Sequence, residues 1–248
     1  MGSPWFRRFG PAPHGDVQLF CFPHAGGAAS TYVQLSRRLA PAVDVLAVQY
    51  PGRQDRRLEP AIEDIPRLAD LITAEILPHT ARPYAFFGHS MGAVLAYETA
   101  RRVQARSAPG PLRTFLSGRS APDPRPNPHD VMADDTAILA AIRRLGGTGA
   151  AVLQDPELVA MIMPALRSDY RALASYAWQP GAPVDTPLTV LVGDADPVVP
   201  IEETTGWREH FAGEVELNVF PGGHFYLDDN AGDVAEVVAT GLGTVARV

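Results

Sequence analysis

Short apolar runs alternate along the chain with stretches whose apolar residues recur at helical spacing. Residues 17–22 (VQLFCF), 43–48, 84–87, 112–116, 188–192 and 215–220 are short runs with β-branched or aromatic content, most of them ending at Gly or Pro. Continuous apolar runs of this length fit strands buried on both faces, as in a parallel sheet. Between them, helices are predicted at about 30–39, 65–77, 91–103 and 234–245. In 65–77 the residues Ile65, Leu68, Ala69, Ile72 and Ile76 form one stripe for packing on the sheet. Strand and helix in alternation read as an α/β fold with a mostly parallel central sheet flanked by helices. From about 121 to 187 the rhythm breaks. That stretch opens with Pro122, Pro124, Pro126 and Pro128, then carries helix-like 134–145, a flexible GGTGA at 146–150 and helix-like 156–173. An insertion of this length between two core strands is expected to be a helical lid over the carboxyl edge of the sheet.

Composition narrows this picture. The 248 residues suit one domain spanning 1–248, and the 46% hydrophobic content supports a sizeable core. The single cysteine, Cys21, lies in an apolar run and reads as a small core residue, so no internal disulfide exists. All 21 basic residues are arginine, which removes Schiff-base chemistry. A net charge of −7 argues against nucleic-acid binding. No apolar run is long enough for a bilayer and the first residues lack a signal core, so no membrane association and a cytoplasmic location are expected.

The strongest chemical signal is Gly88-His89-Ser90-Met91-Gly92, between a predicted strand and a predicted helix. This is the context of a nucleophile elbow, in which two glycines allow a sharp turn and the serine projects from it. A serine needs a base held by a third group, and on such elbows the chain order is Ser, acid, His. Gly193-Asp194-Ala195-Asp196 and Gly222-Gly223-His224 follow the last two strands in that order. His224 is the expected base; Asp194 and Asp196 compete for the acid, the other making local turn hydrogen bonds. His14, His79, His129 and His210 read as solvated surface residues, and His89 as a shaper of the turn. The loop Phe22-Pro23-His24-Ala25-Gly26-Gly27 is placed to give one oxyanion donor, the Ala25 N–H, beside that of Met91. Met161 and Met163, with Leu158, Ile162 and Leu166, read equally as helix packing or as the wall of an acyl channel. No phosphate loop, H-E-x-x-H or C-x-x-C motif occurs.

Six segments in order resemble the type II thioesterases, the stand-alone editing hydrolases of polyketide and nonribosomal peptide synthases. They are FCFPHAGGAAS at 20–30, QYPGRQDRRLEP at 49–60, FFGHSMGAVLAYE at 86–98, MPALRSDY at 163–170, LVGDADP at 191–197 and FPGGHFYL at 220–227. The resemblance implies an α/β-hydrolase fold with Ser90 as nucleophile, His224 as base and Asp196, rather than Asp194, as acid. It also supports Ala25 and Met91 as oxyanion donors. It implies hydrolysis of acyl groups from the phosphopantetheine thioester of acyl or peptidyl carrier proteins. No cofactor is then expected, since phosphopantetheine belongs to the substrate, and a monomer is expected. Arg53, Arg56 and Arg57, or Arg7 and Arg8, are candidate docking sites for an acidic carrier. The alternatives are a general carboxylesterase or a synthase-terminating thioesterase or cyclase on the same triad, and a non-catalytic hydrolase-fold binding protein. A chain of this length beginning with Met favours a free-standing protein over a terminating domain.

Overall fold

A computed structural model describes residues 3–10, 15–146 and 153–244. Seven strands form one sheet: β1 (Phe6–Arg7), β2 (Val17–Phe22), β3 (Val43–Val48), β4 (Tyr84–His89), β5 (Thr114–Ser117), β6 (Leu188–Gly193) and β7 (Val215–Phe220). Their order is β1-β3-β2-β4-β5-β6-β7, with only β1 antiparallel. β1 is two residues long and pairs with Ala47 and Val48, too short to leave a periodic signal in the sequence.

Every residue of β2, β3, β4, β5 and β6 is buried, because helices cover both faces. Alternation along β2 shows how. Phe20 and Phe22 point into a cluster with Ile65, Leu68 and Ile72 of α2 (Ile65–Ile76) and Val94 and Leu95 of α3 (Met91–Ala105). Leu19 and Cys21 point the other way. They meet Leu35 and Leu39 of α1 (Val33–Leu39) and Val234 and Val238 of the C-terminal helix Ala231–Gly241. The predicted stripe on α2 is the face that is buried.

The structure differs from the sequence expectation in burial at β7 and in the bounds of other elements. β7 is not buried on both faces: it is the edge strand, with Leu217 41% and Val219 46% exposed. Its burial does not follow the apolar alternation of VELNVF: Leu217 and Val219 are exposed, Val215 and Asn218 half-buried, and only Phe220 is buried. β5 begins at Thr114, where pairing with Phe86 starts, and leaves Leu112 outside the sheet and exposed. The last helix runs Ala231–Gly241, and the end expected for it at 245 falls outside the described residues.

Between β5 and β6 lie the two helices expected in the insertion, α4 (Asp135–Leu145) and α5 (Pro156–Ala174). Each starts at an aspartate cap: Asp134 accepts from the Ala137 N–H, and Asp155 from the Glu157 and Leu158 N–H groups. Of the GGTGA segment only Gly146 is described, and it ends α4 with φ +75°.

Candidate active site

From β2 the chain passes to β3 on one side, while β4 lies on the other. The crevice at such a switch point is where open α/β sheets build their sites. The loop after β2 and the turn after β4 meet there. β4 runs through His89, two residues beyond the predicted end, and so delivers Ser90 directly from the sheet into α3.

Ser90 has φ +56° and ψ −117°, a conformation that side chains rarely adopt. Two contacts enforce it. The Ser90 N–H donates to the Ser117 carbonyl on β5 at 2.8 Å, and the Ser90 carbonyl accepts from the Ala93 N–H at 2.9 Å. The flanking glycines permit the close approach: a Cβ on Gly88 would sit 2.1 Å from the Gly92 carbonyl oxygen, and one on Gly92 1.8 Å from that of Phe22.

His224 and Asp196 converge from the loops after β7 and β6. The His224 Nδ1 is 2.7 Å from Asp196 Oδ2, with both side chains buried. The second Asp196 oxygen accepts from the Val198 N–H at 3.0 Å, which fixes the carboxylate plane. Asp194 instead accepts from the Gly222 N–H at 2.9 Å, the local turn role foreseen for whichever aspartate did not face the imidazole. Ser90, His224 and Ala25 line one small cavity of about 40 Å³, together with Leu145, Tyr170 and Leu173 of the inserted helices.

The comparisons agree with this architecture. The thioesterase domain model matches residues 17–241. A probable cadicidin biosynthesis thioesterase of Streptomyces griseus is 48% identical over 238 residues, which are 96% of this chain and 66% of that protein. Thioesterase PikA5 of Streptomyces venezuelae is 45% identical, over 96% of this chain and 85% of its own. The solved structure of the type II thioesterase BorB from the borrelidin biosynthetic cluster superposes with a TM-score of 0.87 at 39% identity, covering 100% of both chains. The chain belongs to the thioesterase family. It is a thioester hydrolase.

Behind the thioesterase's His224 lies a layer of aromatic and imidazole rings that the sequence did not announce. His89 packs against His224 with ring centroids 4.9 Å apart, and its Nδ1 meets the Ser117 hydroxyl, which in turn meets the Tyr226 hydroxyl. His24 packs against Phe225 at 4.9 Å. Ser117 could have been suspected only from its place at the end of β5, and Tyr226 only from its place two residues after His224. His79 and His210 depart from the solvated reading. His79 is half-buried edge-on to Phe6 and Phe20, and His210 is buried with its Nδ1 3.0 Å from the Tyr97 hydroxyl. His129 is exposed as expected, and His14 lies outside the described residues.

Burial, then the nearby His224 and Arg53, lowers the His24 pKa from 6.5 to about 3; burial likewise holds His89 well below its ordinary value. Both rings therefore stay neutral when folded, whereas the unfolded chain protonates them below pH 6.5. Stability is thus complete above that pH and is lost as the pH falls, by at most about 1.4 kcal/mol per pH unit for each ring. Thermal midpoints measured from pH 7 to pH 4.5 should decline, and His24→Asn should make the decline shallower. An unchanged slope would count against a buried neutral His24.

Two surface readings need correction. Arg53 and Arg56 are buried, not free for docking. Arg53 pairs with Asp169, and Arg56 stacks on Trp5, pairs with Glu59 and donates to the Gln49 carbonyl. Arg7 pairs with Asp55 and Arg8 with Asp44, leaving Arg57 as the exposed member of the first cluster. Charge reversal at Arg56 would thus disturb the fold rather than report docking. The Met161/Met163 pair splits: Met163 and Leu166 are in the core, and Met161 is 67% exposed. Neither methionine lines the cavity at Ser90.

Proposed function

We propose that this thioesterase is an editing type II enzyme, which removes stalled or wrongly loaded acyl groups from the phosphopantetheine thioester of carrier proteins. The observation that carries its chemistry is the convergence of Ser90 in a strained turn with a buried His224–Asp196 pair on one cavity. In the reading we adopt, Asp196 holds the Nδ1–H tautomer, so that Nε2 takes the Ser90 proton as Oγ attacks the thioester carbonyl. The tetrahedral oxyanion rests on the Ala25 and Met91 N–H groups. Met91 opens α3, where backbone N–H groups have no partner within the helix. The C–S bond then breaks and the thiol leaves with the proton from His224. Water, activated by the same imidazole, releases the acid and restores Ser90.

A cavity of 40 Å³ is about the size of one or two waters, not of an acyl chain. A second cavity of 730 Å³ lies beyond a wall that includes Arg119, Asn127, His129 and Asp130, which line both spaces. The relatives named for biosynthetic roles, in cadicidin biosynthesis and the borrelidin biosynthetic cluster among them, support a synthase partner for this chain as well.

The test compares kcat/KM for matched acyl groups on a carrier protein, on a free pantetheine analogue and as simple oxygen esters. Carrier-bound thioesters should be preferred by at least tenfold, which is about 1.4 kcal/mol of added transition-state binding. Equal or better turnover of the oxygen esters would favour the carboxylesterase reading.

A further inference from the structure

The loop that carries Ala25 is fastened on both sides of that residue, and one fastener comes from the insertion. Ahead of Ala25, the Tyr50 hydroxyl donates to the Pro23 carbonyl at 3.1 Å. After it, the Gly26 N–H donates to Asp169 Oδ2 at 2.7 Å. Asp169 belongs to α5, 143 residues further along the chain. Arg53, from the loop after β3, closes the frame. Its guanidinium donates to both Asp169 oxygens at 2.7 and 2.9 Å and to the Gly27 carbonyl at 2.8 Å, and lies over the Tyr50 ring. α5 also presses on the loop through Leu166: a Cβ on Gly26 would come within 2.4 Å of its Cδ2, and Gly26 holds φ +74°.

We propose that Asp169, oriented by Arg53, is a positioning residue for the oxyanion hole: it fixes the Gly26 N–H and, through the backbone of Ala25, the Ala25 N–H one residue earlier. The proposal rests on the nucleophile and oxyanion reading above. Stability alone is a poor explanation for the pair. Asp169 and Arg53 have side chains only 2% and 6% exposed, and the Arg53 Nε is buried without a partner. Buried ion pairs commonly add no more stability than apolar residues of similar volume. What apolar residues would not supply is an acceptor for Gly26. The inserted helix therefore does more than line the site; its docking supplies the acceptor that holds the Gly26 end of the oxyanion loop.

Two double variants separate positioning from simple helix anchoring. Arg53→Met with Asp169→Leu removes both charges and the Gly26 acceptor while filling the space. Arg53→Met with Asp169→Asn removes the charges but leaves a carbonyl oxygen for Gly26. With an acyl N-acetylcysteamine thioester as substrate, the Leu pair should lose about 30- to 100-fold in kcat with KM within about threefold. The Asn pair should return to within about fivefold of the parent enzyme. Affinity for a trifluoromethyl ketone analogue, whose hemiketal oxygen sits where the oxyanion forms, should fall in step with kcat. If the Leu pair does not fold, Asp169→Ala in the same background carries the same expectation. Equal kcat in the Leu (or Ala) and Asn pairs, or a loss confined to KM, would overturn the proposal. Full turnover by Ser90→Ala would remove the reading beneath it, whichever way the pairs behave.

Discussion

Ser90→Ala and His224→Ala should each lower kcat on a thioester substrate by about 10⁴- to 10⁶-fold, and the double variant should be no slower than the worse single one. In the proposed mechanism the serine, imidazole and carboxylate act as a unit, so once one is lost the others have nothing to act on. Residual rate would come from the oxyanion donors and from substrate binding. Asp196→Asn is the sharper test of the geometry. The carboxylate accepts from His224 Nδ1 at 2.7 Å and from the Val198 N–H at 3.0 Å. An asparagine amide turned towards the imidazole donates instead, which drives the ring proton to Nε2 and removes its basicity towards Ser90. A fall of about 10⁴-fold with near-normal KM is expected. Asp194→Asn should leave kcat within a few-fold, since Asp194 accepts only from a turn N–H that an amide oxygen can also serve. Rapid single-turnover measurements of acyl transfer would decide both. A large loss at Asp194 with little at Asp196 would reverse the acid assignment.

That contrast also marks how far the sequence could be read. The elbow was legible because Gly88, Ser90 and Gly92 combine local turn chemistry with a strand before and a helix after, all within a dozen residues. The central strands were legible because burial on both faces leaves continuous apolar runs. Spacing left the choice between Asp194 and Asp196 open, and only the family resemblance pointed to Asp196, since the choice depends on how two loops from different strands interleave: Ala195 donates to the Gly222 carbonyl and Asp194 takes the Gly222 N–H. Arg53 and Arg56 were misplaced for a related reason. Charge density along the chain says nothing about whether a partner such as Asp169, more than a hundred residues away, will draw an arginine inside. The inserted helices were legible as helix-like stretches, yet the contacts of Leu166 and Asp169 with the loop at 23–27 are long-range and leave no local pattern.

Gly92→Ala should show how tightly the elbow and the oxyanion loop are built into each other. The added Cβ would meet the Phe22 carbonyl oxygen at 1.8 Å and that of Pro23 at 2.8 Å. Both are backbone atoms at the end of a buried central strand and cannot rotate away as a side-chain tip would. Overpacking of this kind costs about 2–3 kcal/mol, or a midpoint lower by roughly 5–10 °C in a chain of this size. Relief can come only by parting α3 from β2, and the residues pushed aside lead directly into Ala25. A fall in kcat of about 10²-fold should therefore accompany the loss of stability. Gly232→Ala is the matched control. It lies in the first turn of the C-terminal helix, where a Cβ meets only the tip of Arg38 at 3.4 Å, so the same chemical change should be neutral or stabilise by up to about 1 kcal/mol. Thermal melts and kcat on the two variants suffice. Equal effects at both positions would mean that the close approach at Gly92 is not what holds Ser90 and the oxyanion loop in register.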